Sequence, residues 1–261
     1  MIKARHIITI LLAATLTACS HIDEDERYIY EKPKQADRVV LLEDFTGQRC
    51  VNCPKGTEII EQLQEEFGDK VIAVGIHGGP LGFAGSATVK GLATAVGDEY
   101  YNHWNLEYQP VGLIDRHGAV NYTDWTKEVV AELAKPARLN LEADAILTDN
   151  QKVFITIRAK GTDGTINGYL QVWVVEDGIT ALQMMPDGSS NREYVHNHVL
   201  RTPVNGTWGE AVTINEGQDW VTAMEQSLDP EWVRDNLSIV AFVYDETGVL
   251  QAAKTKLEIE N

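Results

Sequence analysis

The feature that most constrains this chain is Cys50-Val51-Asn52-Cys53, which follows the apolar run Val39-Val40-Leu41-Leu42 and leads into an amphipathic segment ending near Phe67. A C-x-x-C pair where a strand hands over to a helix lets two thiols share one electron pair. The helix N-terminus and nearby cations favour the thiolate, which is the attacking species. The competing chemistry is half of a zinc site. That would need two more soft ligands, and the chain's only other cysteine is Cys19.

Cys19 has a different use. Lys3 and Arg5, the apolar stretch Ile7 to Leu16 and the ending Leu16-Thr17-Ala18-Cys19 read as a processing signal. The ending resembles a bacterial lipobox, which implies removal of residues 1–18 as a signal peptide and lipid attachment at Cys19, the membrane anchor. A plain secretory signal is the competing reading, and the stretch is shorter than the roughly 20 residues a spanning helix needs. Residues 19–37 carry Asp23-Glu24-Asp25-Glu26 and little apolar periodicity, as a solvated tether does. An acidic cluster just behind the lipidated Cys also resembles the signal that exports lipoproteins of the Bacteroidetes to the outer face of the outer membrane; an acidic spacer is the alternative. With Cys19 lipidated, Cys50 and Cys53 pair only with each other or with a partner, in an envelope compartment where disulfides persist. A net charge of −17 over 261 residues excludes a nucleic-acid partner bound through clustered Lys and Arg. Without a Walker loop, a Rossmann glycine fingerprint or a nucleophile elbow, no cofactor is expected.

Hydrophobic periodicity divides the rest. Arg38 to Thr46 and Val71 to Ile76 read as buried parallel strands joined by a helix bearing Ile59, Ile60, Leu63 and Phe67. Residues 78–97, rich in Gly and Ala, read as an irregular excursion before a short helix around Asp98 to Trp104. Pro110 opens a third strand, the hairpin signal Arg116-His117-Gly118 leads to a strand over Ala119 to Tyr122, and a helix from about Asp124 to Ala134 closes the unit. Beyond Lys135-Pro136-Ala137 the pattern alternates. Leu139 to Leu147 and Val153 to Ile157 are followed by strands at Tyr169–Glu176, Tyr194–Arg201, Val212–Glu216, Leu237–Tyr244 and Val249–Ile259, an antiparallel sandwich. The expected domains are thus 38–135, α/β, and 136–261, all-β and Ig-like.

The order strand, C-x-x-C, helix, strand, helix, Pro-led strand, strand, helix resembles a thioredoxin-like domain, as does Asp44-Phe45 six residues before Cys50. Glu43-Asp44-Phe45-Thr46-Gly47 leading to Cys50-Val51-Asn52-Cys53-Pro54, then Val74-Gly75-Ile76-His77 and Val195-His196-Asn197-His198-Val199-Leu200-Arg201, are similar to the outer-membrane-protein-28 family of Bacteroidetes lipoproteins. The resemblance implies an exposed attacking Cys50 with its pKa lowered by the helix end and Arg49, and a resolving Cys53. It also implies a buried Asp44 with a raised pKa, exchanging a proton with Cys53, and a cis Pro110 beside the disulfide. Val-Asn between the cysteines, Arg49 before them and Gln109 before Pro110 depart from the thioredoxin pattern.

Each site has a plainer competitor. The Cys pair reads either as an exchange site or as a static disulfide, and Asp44 as a proton carrier or a structural acid. His196 and His198, two apart on one expected strand, share a face as metal ligands do, but strand packing accounts for them and no metal is expected. His77 and His103 are candidates to approach the Cys pair. The leading functional expectation is an outer-membrane lipoprotein, at the surface or on the periplasmic face, whose scaffold binds or adheres with the Cys pair oxidised. The alternative is an envelope thiol–disulfide oxidoreductase, whose protein partner would be held through a mixed disulfide.

Overall fold

The strand expected before the cysteines is β1 (Val40–Thr46) in a computed structural model that describes residues 32–148 and 151–259. The readings placed on residues 1–18, Cys19 and Asp23 to Glu26 lie outside the described residues. Helix α1 (Cys53–Phe67), entered through Pro54, joins β1 to the parallel β2 (Val71–His77). Helix α2 (Ala95–His103) leads to β3 (Val111–Ile114), which lies antiparallel to β1 and turns into β4 (Ala119–Asn121) ahead of α3 (Trp125–Leu133). Every residue of β1 and β2 is buried, as their unbroken apolar runs require. On one face Val40 and Leu42 pack with Ile60 and Leu63 of α1 and Trp125 and Val129 of α3. Gly112 permits this approach, because a Cβ there would come within 2.4 Å of the Trp125 indole nitrogen.

The alternating half contains β5 (Leu139–Thr148), β6 (Lys152–Gly161), β7 (Ile166–Glu176), β8 (Ile179–Met184), β9 (Ser190–His196), β10 (Val199–Pro203), β11 (Glu210–Ile214), β12 (Asp219–Ser227), β13 (Leu237–Asp245), β14 (Gly248–Lys256) and β15 (Glu258–Ile259). The molecule is mostly β, with a mixed sheet and few helices. Among the described residues, nine strands form one sheet in the order β14-β13-β7-β10-β2-β1-β3-β4, with β11 also on β7. A second sheet, β12-β6-β5-β15, packs against it through Leu139, Val153, Ile155, Ile157, Val172 and Ile239, among others. Strands β8 and β9 stand apart as a two-stranded hairpin.

The change of pattern at Lys135-Pro136-Ala137 is where helices give way to strands, yet the hydrogen-bonded sheet runs across it. Strand β10 lies between β2, to which it is parallel, and β7; the Gly75 N–H donates to the His198 carbonyl at 2.8 Å. One apolar cluster draws on both halves, with Leu41, Phe45, Val74 and Ile76 beside Trp173, Val240 and Phe242. The end of the expected tether is bonded rather than merely solvated. Asn140 donates to the Lys34 carbonyl and accepts from the Ala36 N–H, and Gln35 donates to the Ala137 carbonyl.

Two strand readings are corrected. The run Tyr194–Arg201 breaks into β9 and β10, because His198 takes a left-handed φ of 57° and its N–H donates to the Asp177 carboxylate at 2.6 Å. Strands β8 and β12 were not expected from the sequence. Polar residues interrupt their apolar pattern, and Thr180 and alternate residues of β12 face solvent.

Candidate functional site

The site begins at the turn between β1 and α1. Thr46 ends the strand, the Cys50 N–H donates to the Gly47 carbonyl at 3.0 Å, and α1 starts at Cys53. Gly47 is required here, since a Cβ would come within 2.3 Å of the Leu81 carbonyl oxygen. Cys50 and Cys53 form a disulfide with an S–S distance of 2.10 Å. Cys50 is 1% exposed and Cys53 2% exposed, so the expected exposed attacking thiol is corrected to a buried sulfur. Arg49 is exposed and its guanidinium lies over the Phe83 ring, 4.9 Å from its centroid.

Two segments cover the disulfide. One is the irregular stretch 78–94, tied down where the Arg49 N–H donates to the Leu81 carbonyl and where Gln109 donates to the carbonyls of Thr46 and Gly78 and accepts from the Leu81 N–H. The other is the β8–β9 hairpin from the far half of the chain. Its Met184 N–H donates to the Gln48 carbonyl at 2.9 Å, and the Gln183 amide donates to the carbonyls of Cys50 at 2.8 Å and Gly47 at 3.3 Å. Gln48, fully buried, joins both covers: its amide donates to the carbonyls of Lys90 and Leu182 and accepts from the Leu92 N–H. The Gln109–Pro110 peptide is cis, and Pro110 lies against α1, where a Cβ on Gly56 would meet it at 3.4 Å. Gln48 and Gln183 carried no motif in the sequence; only the meeting of distant segments gives them a role.

Behind Cys53 lies a small cavity of about 30 Å³, lined among others by Asp44, His77, Gln183, Tyr194 and His196. A space of that size admits a water or two. Asp44 Oδ1, His77 Nδ1 and His196 Nε2 are buried without a protein hydrogen-bond partner. Burial pushes the Asp44 carboxyl up to about 8, so it is mostly neutral near pH 7. Burial lowers His77 far below the usual imidazole range, helped by His196 and Arg201, and takes His196 down to about 4 even though the carbonyls of Leu182 and Ala181 support its proton. The His77 and His196 rings meet edge to face at 5.3 Å, while His103 is elsewhere, 4.1 Å from the Trp208 ring. His196 and His198 do not share a strand face, and among the described residues no group of three or more His, Cys, Asp or Glu side chains is arranged to hold a metal.

Residues 97–261 match the family model of outer membrane protein Omp28. The chain belongs to the Omp28 family. That membership places this Omp28-family protein at the outer membrane, and no helix of the described residues is long and apolar enough to cross a membrane. It is 31% identical to a domain of the outer membrane lipoprotein Omp28 from Porphyromonas gingivalis over 48% of this chain and 92% of that one, with a TM-score of 0.36. HBP35 of Porphyromonas gingivalis shares the fold, with a TM-score of 0.65 at 16% identity over 86% of this chain and 77% of that one. A protein of Agrobacterium tumefaciens matches with a TM-score of 0.52 at 14% identity, over 85% of this chain and 96% of that one. No curated protein matches the chain.

Proposed function

We propose that this Omp28-family chain is a binding or adhesion module held at the outer membrane by a lipid on Cys19, with residues 38–135 a thioredoxin-like unit and residues 136–261 an Ig-like β-sandwich fused to it. The order β2-β1-β3-β4, the Cys pair at the start of α1 and Pro110 before β3 support the thioredoxin-like reading. The observation that carries the functional choice is the double cover over a disulfide whose cysteines are 1% and 2% exposed. Thiol–disulfide exchange needs an incoming thiolate in line with the S–S bond, and burial of both cysteines opposes that approach in the closed form. In this form the disulfide staples the β1–α1 turn, and the outer surface is what meets a protein partner.

Two measurements test this. Cys19→Ala is expected to release the chain from the outer-membrane fraction, because a single lipid-bearing residue supplies the anchor. Acid trapping of cells expressing Cys53→Ser is expected to show no reducible adduct on Cys50; a partner protein held there would replace the binding reading with the oxidoreductase one.

A further inference from the structure

We propose that the β8–β9 hairpin is a self-inhibitory lid, and that the Cys50–Cys53 disulfide becomes open to dithiol reductants through local lifting of this hairpin while the rest of the fold stays intact. The proposal goes beyond the binding reading, which needs only the closed form.

Three observations point the same way. First, the hairpin pairs only within itself among the described residues, outside both large sheets, and all but two residues of β9 are exposed. Its apolar anchoring is a small cluster, Ile179 and Ala181 against Leu92 and Val199. An element with few buried apolar contacts opens at lower free energy than the sheet that carries it. Second, the hairpin meets the disulfide turn through amide hydrogen bonds, those of Gln183, Met184 and Gln48, and water can replace each of these when the hairpin moves away. Third, the surface it covers is chemically active in type. Beneath it are the cavity with Asp44 Oδ1 and His77 Nδ1 unpartnered, and His196 Nε2 on the hairpin itself facing the same space. These polar groups line a space that admits a water or two, and lifting the hairpin opens that space and Cys53 beside it to solvent.

The exchange balances with a dithiol as the named reductant. Its thiolate bonds to one protein sulfur as the S–S bond breaks, and the other protein sulfur leaves and takes up a proton. The reductant's second thiol then displaces the first protein sulfur, giving a cyclic disulfide and two protein thiols. Two electrons pass from reductant to protein.

The test uses the mature chain in detergent, dithiothreitol as the reductant and a maleimide mass shift as the readout, with urea varied below the unfolding transition. The expected result is a reduction rate whose urea dependence is a small fraction of the global m-value, the mark of local opening. Exchange of the Met184 amide should follow the same opening and run ahead of the β1 and β2 amides. Gln183→Ala should speed reduction about tenfold, the equilibrium equivalent of one or two lost buried hydrogen bonds, with the urea dependence of reduction still a small fraction of the global m-value and the urea midpoint lowered by no more than that same free energy. A rate in the unmodified chain that carries the full m-value overturns the proposal. So does a Met184 amide that opens freely while the disulfide stays unreduced.

Discussion

Asp44 is buried within β1, and burial is what governs its charge. Its pKa is raised on folding, to about 8, and the stability that depends on it is therefore fully present at pH values below the ordinary carboxylate range and is lost as pH rises through about 8. His77 and His196 have the opposite sign: lowered on folding, they cost stability as pH falls below the ordinary imidazole range. Asp44→Asn removes the first dependence and leaves the second in both proteins. The variant is expected to be about 4–6 kcal/mol more stable than the parent at pH 7.5 and to show no gain near pH 4, at roughly 1.36 kcal/mol per pKa unit. Urea unfolding at both values checks this. Arg116 poses a similar question with a paired charge. It is buried against Glu43 at 3.1 Å and stacked over Tyr244 at 4.4 Å and Phe242 at 4.7 Å. Arg116→Ala leaves Glu43 buried and unpaired and is expected to cost about 3–5 kcal/mol, much of it recovered by adding Glu43→Leu.

Among the elements, the covers differ in how they are held. The stretch 78–94 has no helix or strand of its own and depends on side-chain amides, with Gln109 making three hydrogen bonds to Thr46, Gly78 and Leu81. Gln109→Ala is expected to raise proteolytic nicking within 78–94 about tenfold and to lower the global unfolding free energy by about the same amount, since the lost bonds hold the closed native state against local opening and unfolding alike. Limited proteolysis followed by mass mapping decides it. The expected strands and helices of the first half were legible because burial on both faces leaves unbroken apolar runs, and because Pro54 and Gly68 bound α1 at its two ends. Strand β8 was not legible because polar residues interrupt its apolar pattern, and the hairpin's place over the disulfide turn was not, because the residues it bonds there lie more than 130 positions away, as in the Gln183 to Cys50 bond.

At the level of the molecule, one sheet carries the α/β half into the all-β half. Arg38 strengthens the seam from the other side: it pairs with Asp115 at 2.6 Å and donates to the carbonyls of Val249 and Leu250 on β14. A chain cut after Lys135 would expose the faces of Leu41, Phe45, Val74 and Ile76 that now meet Trp173, Val240 and Phe242. Such a fragment is expected to aggregate or stay unfolded, and the intact chain to unfold in one transition with coincident fluorescence and circular dichroism midpoints. A soluble, cooperatively folding fragment 33–135 would show that the first half has a sufficient core of its own.

What the sequence by itself determined is local. The Cys50-Val51-Asn52-Cys53 turn, the βαβ order around it and the alternating strands follow from residue type and spacing over short range, and the family likeness, which alone implied a cis Pro110, rests on such runs. Only the tertiary structure decided what becomes of the Cys pair. Exposure of a sulfur depends on whatever segment packs over it; here 78–94 is held by the amides of Gln48 and Gln109, and the hairpin 179–196 is carried there by the pairing of its flanking strands β7 and β10 into the large sheet. The same motif that in isolation presents a thiol for attack is closed in this fold, and the hairpin that closes it is where its chemistry is controlled.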